Sequence, residues 1–169
     1  MDNITWNITD GVLTIKGTGA IEGLPWKNEF FTDVVIEDGI TSISGWVFSG
    51  YKSLETITIP EGVTSINDLA FYRCLSLREV TLPDSVTSIG DNAFCWCDNL
   101  KTITIPNSLT SIGDHAFCWC HSLSGVKIPE SVTSIGDYAF GWCHRLKTIT
   151  IPDSVTSIGD HAFYGCSDI

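Results

Sequence analysis

Apolar positions along the chain recur with a period of 23 residues. Leu54, Ile57 and Ile59 reappear as Leu77, Val80 and Leu82, then as Leu100, Ile103 and Ile105, and at the far end as Leu146, Ile149 and Ile151. The alternation at the last two positions of each set, with Thr or another strand-forming residue between them, predicts a short strand. Pro60, Pro83, Pro106, Pro129 and Pro152 end it, because proline donates no ladder hydrogen bond. A polar turn and a second extended stretch follow: Val63 to Ile66 in one unit, Val86 to Ile89 in the next. Then comes Gly-Asp-x-Ala-Phe, at Gly90, Gly113, Gly136 and Gly159. Here Asp91 reads as the N-cap of a single helical turn, with Ala93 and Phe94 facing inward and Cys97 ending the turn.

Six such units, opening at Phe31, Leu54, Leu77, Leu100, Leu123 and Leu146, fill residues 31–169 without insertion or deletion. One unit offers about six apolar side chains for burial, each worth roughly 1.5–3 kcal/mol. It has no second layer of its own, so only stacking on neighbouring units completes a core. The pattern predicts a solenoid.

The run Leu-x-x-Val/Ile-x-Ile-Pro-x-Ser-Val-Thr-Ser-Ile-Gly-Asp-x-Ala-Phe-x-x-Cys resembles the BspA-like class of leucine-rich repeats. The match is nearly residue for residue from Leu77 to Cys166 and looser from Phe31 to Cys74. The resemblance implies an α/β repeat solenoid, a right-handed horseshoe with parallel strands on one face and short helical turns on the other. It also implies a secreted or cell-surface protein of a host-associated microbe, with a role in adhesion and a ligand, protein or glycan, of host origin.

Residues 1–30 differ from the repeats. Ile4 to Thr9 and Val12 to Lys16 alternate apolar and polar residues around Asp10-Gly11, a preferred two-residue hairpin turn. A β-hairpin here would cover the open apolar end of the stack, with Gly17 to Trp26 as a loop leading into the first repeat. Nothing comparable follows Cys166, so the last strand is expected to be an open edge. Two expectations follow: the chain is part of a longer one, or this end pairs with another molecule end to end.

Charge narrows the partners. Nine basic against 20 acidic side chains give a net charge of −11, which repels phosphate backbones and argues against nucleic acid. No apolar run reaches the roughly 18 residues of a membrane span, so no membrane insertion is expected. No catalytic constellation stands out, since every Ser column is repetitive, so the chain reads as non-enzymatic and cofactor-free.

Several columns carry candidate chemistry. Trp96, Trp119 and Trp142 occupy successive units, flanked by Tyr72, Tyr138 and Tyr164. Relatives of the BspA-like class usually carry a small or polar residue there. The indoles read either as an exposed apolar patch for a protein or a sugar ring, or as rings lying flat that seal the convex side. The outward side of the main strands carries Thr56, Thr58, Thr81, Thr102, Thr104, Lys127, Thr148 and Thr150, a face suited to a protein or glycan ligand. Its Thr-x-Thr rows are similar to those of ice-binding surfaces, but Gly125 and Lys127 interrupt them. His121 and His144 share a column with Asp98 and read either as a divalent-metal site or as tolerant polar loop positions. Cys74, Cys97, Cys120, Cys143 and Cys166 form one column of small buried thiols. Cys95 and Cys118 form another, and these are expected to be free thiols or a disulfide. The four sulfurs of Cys95, Cys97, Cys118 and Cys120 should not converge on a zinc ion, because residues two apart face different directions.

Overall fold

A computed structural model describes residues 3–23 and 25–169. β1 (Thr5–Thr9) and β2 (Val12–Lys16) form an antiparallel hairpin through Asp10-Gly11, both with positive φ (51° and 80°), as a two-residue turn matched to strand twist requires. β2 then pairs in parallel with β4 (Asp33–Ile36), which opens the array proper.

From there each coil contributes one strand to a main sheet and one to a second sheet. The main sheet runs β1-β2-β4-β6-β8-β10, with β6 at Thr56–Thr58, β8 at Glu79–Thr81 and β10 at Thr102–Thr104. It resumes as β12 (Gly125–Lys127) and β14 (Thr148–Thr150), and the break coincides with Gly125, a residue poorly suited to a strand interior. The second sheet holds β3 (Gly19–Ile21), β5 (Ile40–Ile43), β7 (Ser65–Ile66), β9 (Ser88–Ile89), β11 (Ser111–Ile112), β13 (Ser134–Ile135) and β15 (Ser157–Ile158). The sequence period is the ladder register: Ile103 lies opposite Val80, and Ile112 opposite Ile89.

Between the sheets runs one continuous core. Phe48, Phe71, Phe94, Phe117 and Phe140 are fully buried, with neighbouring rings stacked at 5.1–5.5 Å. Trp26 extends this stack toward the N-terminus, 5.7 Å from Phe48. With β3 in the second sheet, residues 12–23 and 25–30 therefore build much of an additional coil, where the sequence suggested a loop after the hairpin.

The third wall of each coil corrects the expectation of short helical turns: among the described residues there is no helix. Asn92 and Trp96 have φ of 56° and 64°, which interrupts any α-helical run. Residues alternate in what they donate to. Ala93, Cys95 and Cys97 bond back three residues within the coil, while Asn92, Phe94 and Trp96 donate to Asp114, Ala116 and Cys118 of the next coil at 2.8–2.9 Å. Half of the amides a helix would use internally thus tie adjacent coils together. Asp91 does not cap its own turn. Its Oδ1 accepts the Asp114 amide at 2.8 Å, and the same bond joins Asp68 to Asp91, Asp114 to Asp137 and Asp137 to Asp160.

The remaining polar columns do similar work. Ser85, Ser108 and Ser154 donate to the carbonyls of Val63, Val86 and Val132 at 2.6–2.9 Å. Each thiol of the Cys74 column donates to a Phe carbonyl 26 residues earlier, as Cys97 does to Phe71 at 3.3 Å. Burial pushes these thiol pKa values up, most strongly at Cys74, Cys97, Cys120 and Cys143.

Candidate functional site

The outward face of the main sheet follows from strand alternation. Ile57, Val80, Ile103 and Val126 point into the core, which forces their neighbours outward. Thr56, Thr58, Thr81, Thr102, Thr104, Lys127, Thr148 and Thr150 are all exposed on one surface. Thr56 donates to the Asp33 carboxylate, which also accepts from Thr32, and these bonds hold the Asp33 pKa below its ordinary value. The hydroxyls of Thr58, Thr81, Thr102, Thr104, Thr148 and Thr150 form no side-chain hydrogen bond among the described residues. Two shallow depressions lie on this face. One, of about 410 Å³, runs between Thr56, Thr58, Glu61, Glu79 and Thr81. The other, of about 360 Å³, is lined by Asn107, Lys127, Glu130 and Thr150.

The turn wall carries two aromatic stacks, not one flanked row. Trp96, Trp119 and Trp142 lie face to face, with centroids 4.7 and 5.1 Å apart. Both faces of Trp119 are therefore occupied by indoles, and the row offers solvent its edges, so a sugar cannot lie flat on the middle of it. The stack has defined ends. The Arg73 guanidinium carbon sits 5.6 Å from the Trp96 ring, a cation–π contact. At the other end stands Gly165, where a Cβ would fall 2.7 Å from Trp142 Cε3. Tyr138 belongs to the second stack, between His115 at 5.2 Å and His161 at 4.9 Å. Tyr164 meets both stacks edge-on, 5.0 Å from Trp142 and 6.3 Å from Tyr138.

Both stacks arise from backbone geometry. Trp46, Leu69, Asn92, His115, Tyr138 and His161 form one left-handed column, and Arg73, Trp96, Trp119 and Trp142 form the other, all with φ of 51–68°. A non-glycine residue in that region costs on the order of 1–3 kcal/mol, offset here by inter-coil hydrogen bonds and ring stacking. Composition and motif alone do not single out Trp46, which is 55% exposed, or Arg73. The signal that would have found them is register, since each lies a multiple of 23 residues from a stacked aromatic.

Asp98, His121 and His144 come together, but not as metal ligands. His121 Nδ1 bonds Asp98 Oδ1, and His144 Nδ1 donates to the Gly165 carbonyl at 3.0 Å. The two imidazoles stack at 5.1 Å with planes 8° apart. Nitrogen lone pairs lie in the ring plane, so those of two parallel stacked rings run alongside each other without meeting at an ion. No three His, Cys, Asp or Glu side chains among the described residues are grouped to hold a metal. Cys95 and Cys118 are free thiols, both buried. The neighbouring Cys118 sulfur and burial push the Cys95 pKa up, and the Cys95 thiol holds that of Cys118 down.

No helix among the described residues is long and apolar enough to cross a membrane. The BspA type leucine rich repeat region profile matches residues 25–126 and 110–169, with six copies. Among solved structures, the chain is similar to a leucine rich repeat protein of T. pallidum. That match has a TM-score of 0.80 and 27% identity, and it covers 98% of this chain and 87% of the other. It is also similar to a leucine rich cell surface protein of Faecalibacterium prausnitzii, with TM-score 0.62 and 29% identity over all of this chain and 53% of the other. A leucine-rich repeat protein of Bacteroides ovatus shares the fold at TM-score 0.63 and 24% identity, over 98% of this chain and 56% of the other. The chain thus spans about half the length of the last two proteins. No curated protein sequence matches it.

Proposed function

The chain belongs to the BspA-type leucine-rich repeat family, and from that membership we propose that it is a non-enzymatic binding module that engages a host protein or glycan at a microbial cell surface. The family is generally non-enzymatic and typically surface-associated. The cell-surface description of the Faecalibacterium relative supports the same location. The observation that carries the reading is the row of unpartnered threonine hydroxyls on the main sheet, flanked by two depressions on the same face. Those hydroxyls stand in fixed register on a rigid ladder, so a ligand pairs with them at little ordering cost. The indole row, with its faces already occupied, serves as a wall.

Binding to extracellular-matrix proteins and a glycan panel tests this. Thr102→Glu/Thr104→Glu, which places two carboxylates on the sheet, is expected to abolish binding. Trp96→Ala/Trp119→Ala/Trp142→Ala, if still folded by circular dichroism, is expected to retain it. Equal binding by wild type and the Thr variant overturns the sheet-face reading.

A further inference from the structure

The N-terminal end of the indole stack opens into a depression of about 290 Å³ lined by Lys52, Arg73, Leu75, Trp96, Asp98 and His121. Two repeat columns build it: Lys52, Leu75, Asp98 and His121 in one, Arg73 and Trp96 in the other. Its chemistry is mixed in a particular way. Neither Lys52 nor Arg73 takes part in an ion pair among the described residues, where the pairs are Lys16–Glu37, Arg78–Glu55 and His121–Asp98. In a chain of net charge −11, a small depression with two cations against one carboxylate stands out as a local excess of positive charge. The Arg73 guanidinium is steadied between the rings of Tyr72 and Trp96, 5.6 Å from each.

Asp98 spends Oδ1 on His121, and its side chain is 46% exposed, so Oδ2 remains as an acceptor toward the depression. An ionised carboxylate only accepts, so His121 Nδ1 carries the hydrogen. The edge-on contact of His121 with Trp119, 5.4 Å between centroids, fixes the ring. Leu75 and Trp96 supply an apolar side.

We propose that this depression binds a carboxylated sugar of the uronic-acid kind. Arg73 and Lys52 take the carboxylate, Leu75 and the exposed edge of Trp96 border the apolar side of the pyranose, and a ring hydroxyl donates to Asp98. The placement of donors separates the sugar from an acidic peptide. A Glu or Asp side chain brings only acceptors and leaves the backbone N–H as the peptide's donor, whereas a uronate carries several hydroxyl donors on the same ring as its carboxylate. The volume lies at the small end for ligand sites and suits one ring. This inference rests on the binding-module reading and names a ligand class for a site away from the sheet.

Calorimetry and saturation-transfer NMR on the full chain, with D-galacturonate, D-glucuronate, D-galactose and an N-acetylated Asp-Glu dipeptide, test it. The uronates are expected to bind and to weaken as salt rises, with D-galactose and the dipeptide at least about tenfold weaker. Arg73→Gly, tolerated because Gly50 and Gly165 occupy the same column with positive φ, and Lys52→Met are each expected to cost about tenfold in affinity. Asp98→Asn is expected to narrow the margin between uronate and dipeptide. Thr102→Glu/Thr104→Glu should leave uronate binding unchanged. Absence of uronate binding, or full affinity in Arg73→Gly, overturns the proposal, and dipeptide binding equal to uronate overturns the sugar assignment. If uronates fail while the sheet variant still loses a matrix ligand, this inference falls and the binding module stands.

Discussion

The glycine of each Gly-Asp pair makes a sharp test of how the coils hold together. Gly113 does not have positive φ, so backbone freedom is not why it is there. A Cβ at this position would fall 2.7 Å from Asp91 Oδ1, 2.7 Å from the Gly90 carbonyl carbon and 2.9 Å from the Asp91 amide nitrogen. Two of those atoms are backbone, so no side-chain rotation relieves the contact and the coils must move apart. Overpacking of this kind costs about 1–3 kcal/mol. The separation also breaks the Asp114 N–H to Asp91 Oδ1 bond of 2.8 Å, worth about 1 kcal/mol at a solvent-exposed carboxylate. Gly113→Ala is therefore expected to destabilise the fold by about 2–4 kcal/mol. For a chain of this size that lowers Tm by about 4–16 °C.

The matched control is Gly125→Ala. There the nearest atom is Thr148 Oγ1 at 3.0 Å, a rotatable hydroxyl, and the nearest backbone atom is 3.6 Å away. Removing glycine from a strand gains about 0.5–1 kcal/mol, so this variant should be neutral or slightly stabilised. Urea titrations followed by circular dichroism, with amide exchange at Asp114, read both effects. Relief of the carboxylate alone, in Asp91→Ala/Gly113→Ala, should restore only part of the loss, because the backbone contacts remain. A Gly113→Ala cost below about 0.5 kcal/mol, or equal behaviour of the two single variants, refutes close backbone approach as the reason for the motif.

Phe94 is fully buried between Phe71 and Phe117, at 5.1 and 5.5 Å, and Phe94→Ala should cost about 3–5 kcal/mol in the same titration. The buried thiols make stability pH-dependent. Their folded pKa values lie above the ordinary 9.0, so their contribution is complete below that pH. Above it the unfolded chain loses thiol protons that the folded chain keeps, and stability falls by about 1.4 kcal/mol per pH unit for each such thiol. Urea midpoints between pH 8 and 10.5 measure the slope, which Cys97→Ala should flatten by one thiol's share. An unchanged slope in that variant refutes the assignment. In native protein a thiol reagent at neutral pH should leave Cys74, Cys97, Cys120 and Cys143 unmodified until urea opens the coils, and immediate labelling of Cys97 contradicts its burial.

The 23-residue spacing was sufficient by itself to determine the strands of the repeats and the phenylalanine core, and the family resemblance carried by those repeats implied the parallel pairing. Burial repeats with the coil, and the same spacing that puts Phe71, Phe94 and Phe117 in one column of the alignment puts their rings in one stack. The hairpin at Asp10-Gly11 was legible for a similar reason, since its turn chemistry is local. What followed that hairpin was not. Residues 19–21 look like glycine-rich loop, yet they pair with β5, because a neighbouring strand supplies the partners that local propensity lacks.

The same cause made a helical turn of the Gly-Asp-x-Ala-Phe segment on paper. Helix signals describe bonds three or four residues away, whereas the Asn92 amide and the Asp91 carboxylate find their partners 22 and 23 residues along, at Asp114. Only the stacked coils reveal that the tryptophans cover one another's faces, that two parallel imidazoles cannot share an ion, and that Lys52, Arg73 and Asp98 border one depression. A periodic sequence states which side chains share a column. The spacing between coils and the left-handed backbone at two positions in each coil decide what those columns present to a ligand.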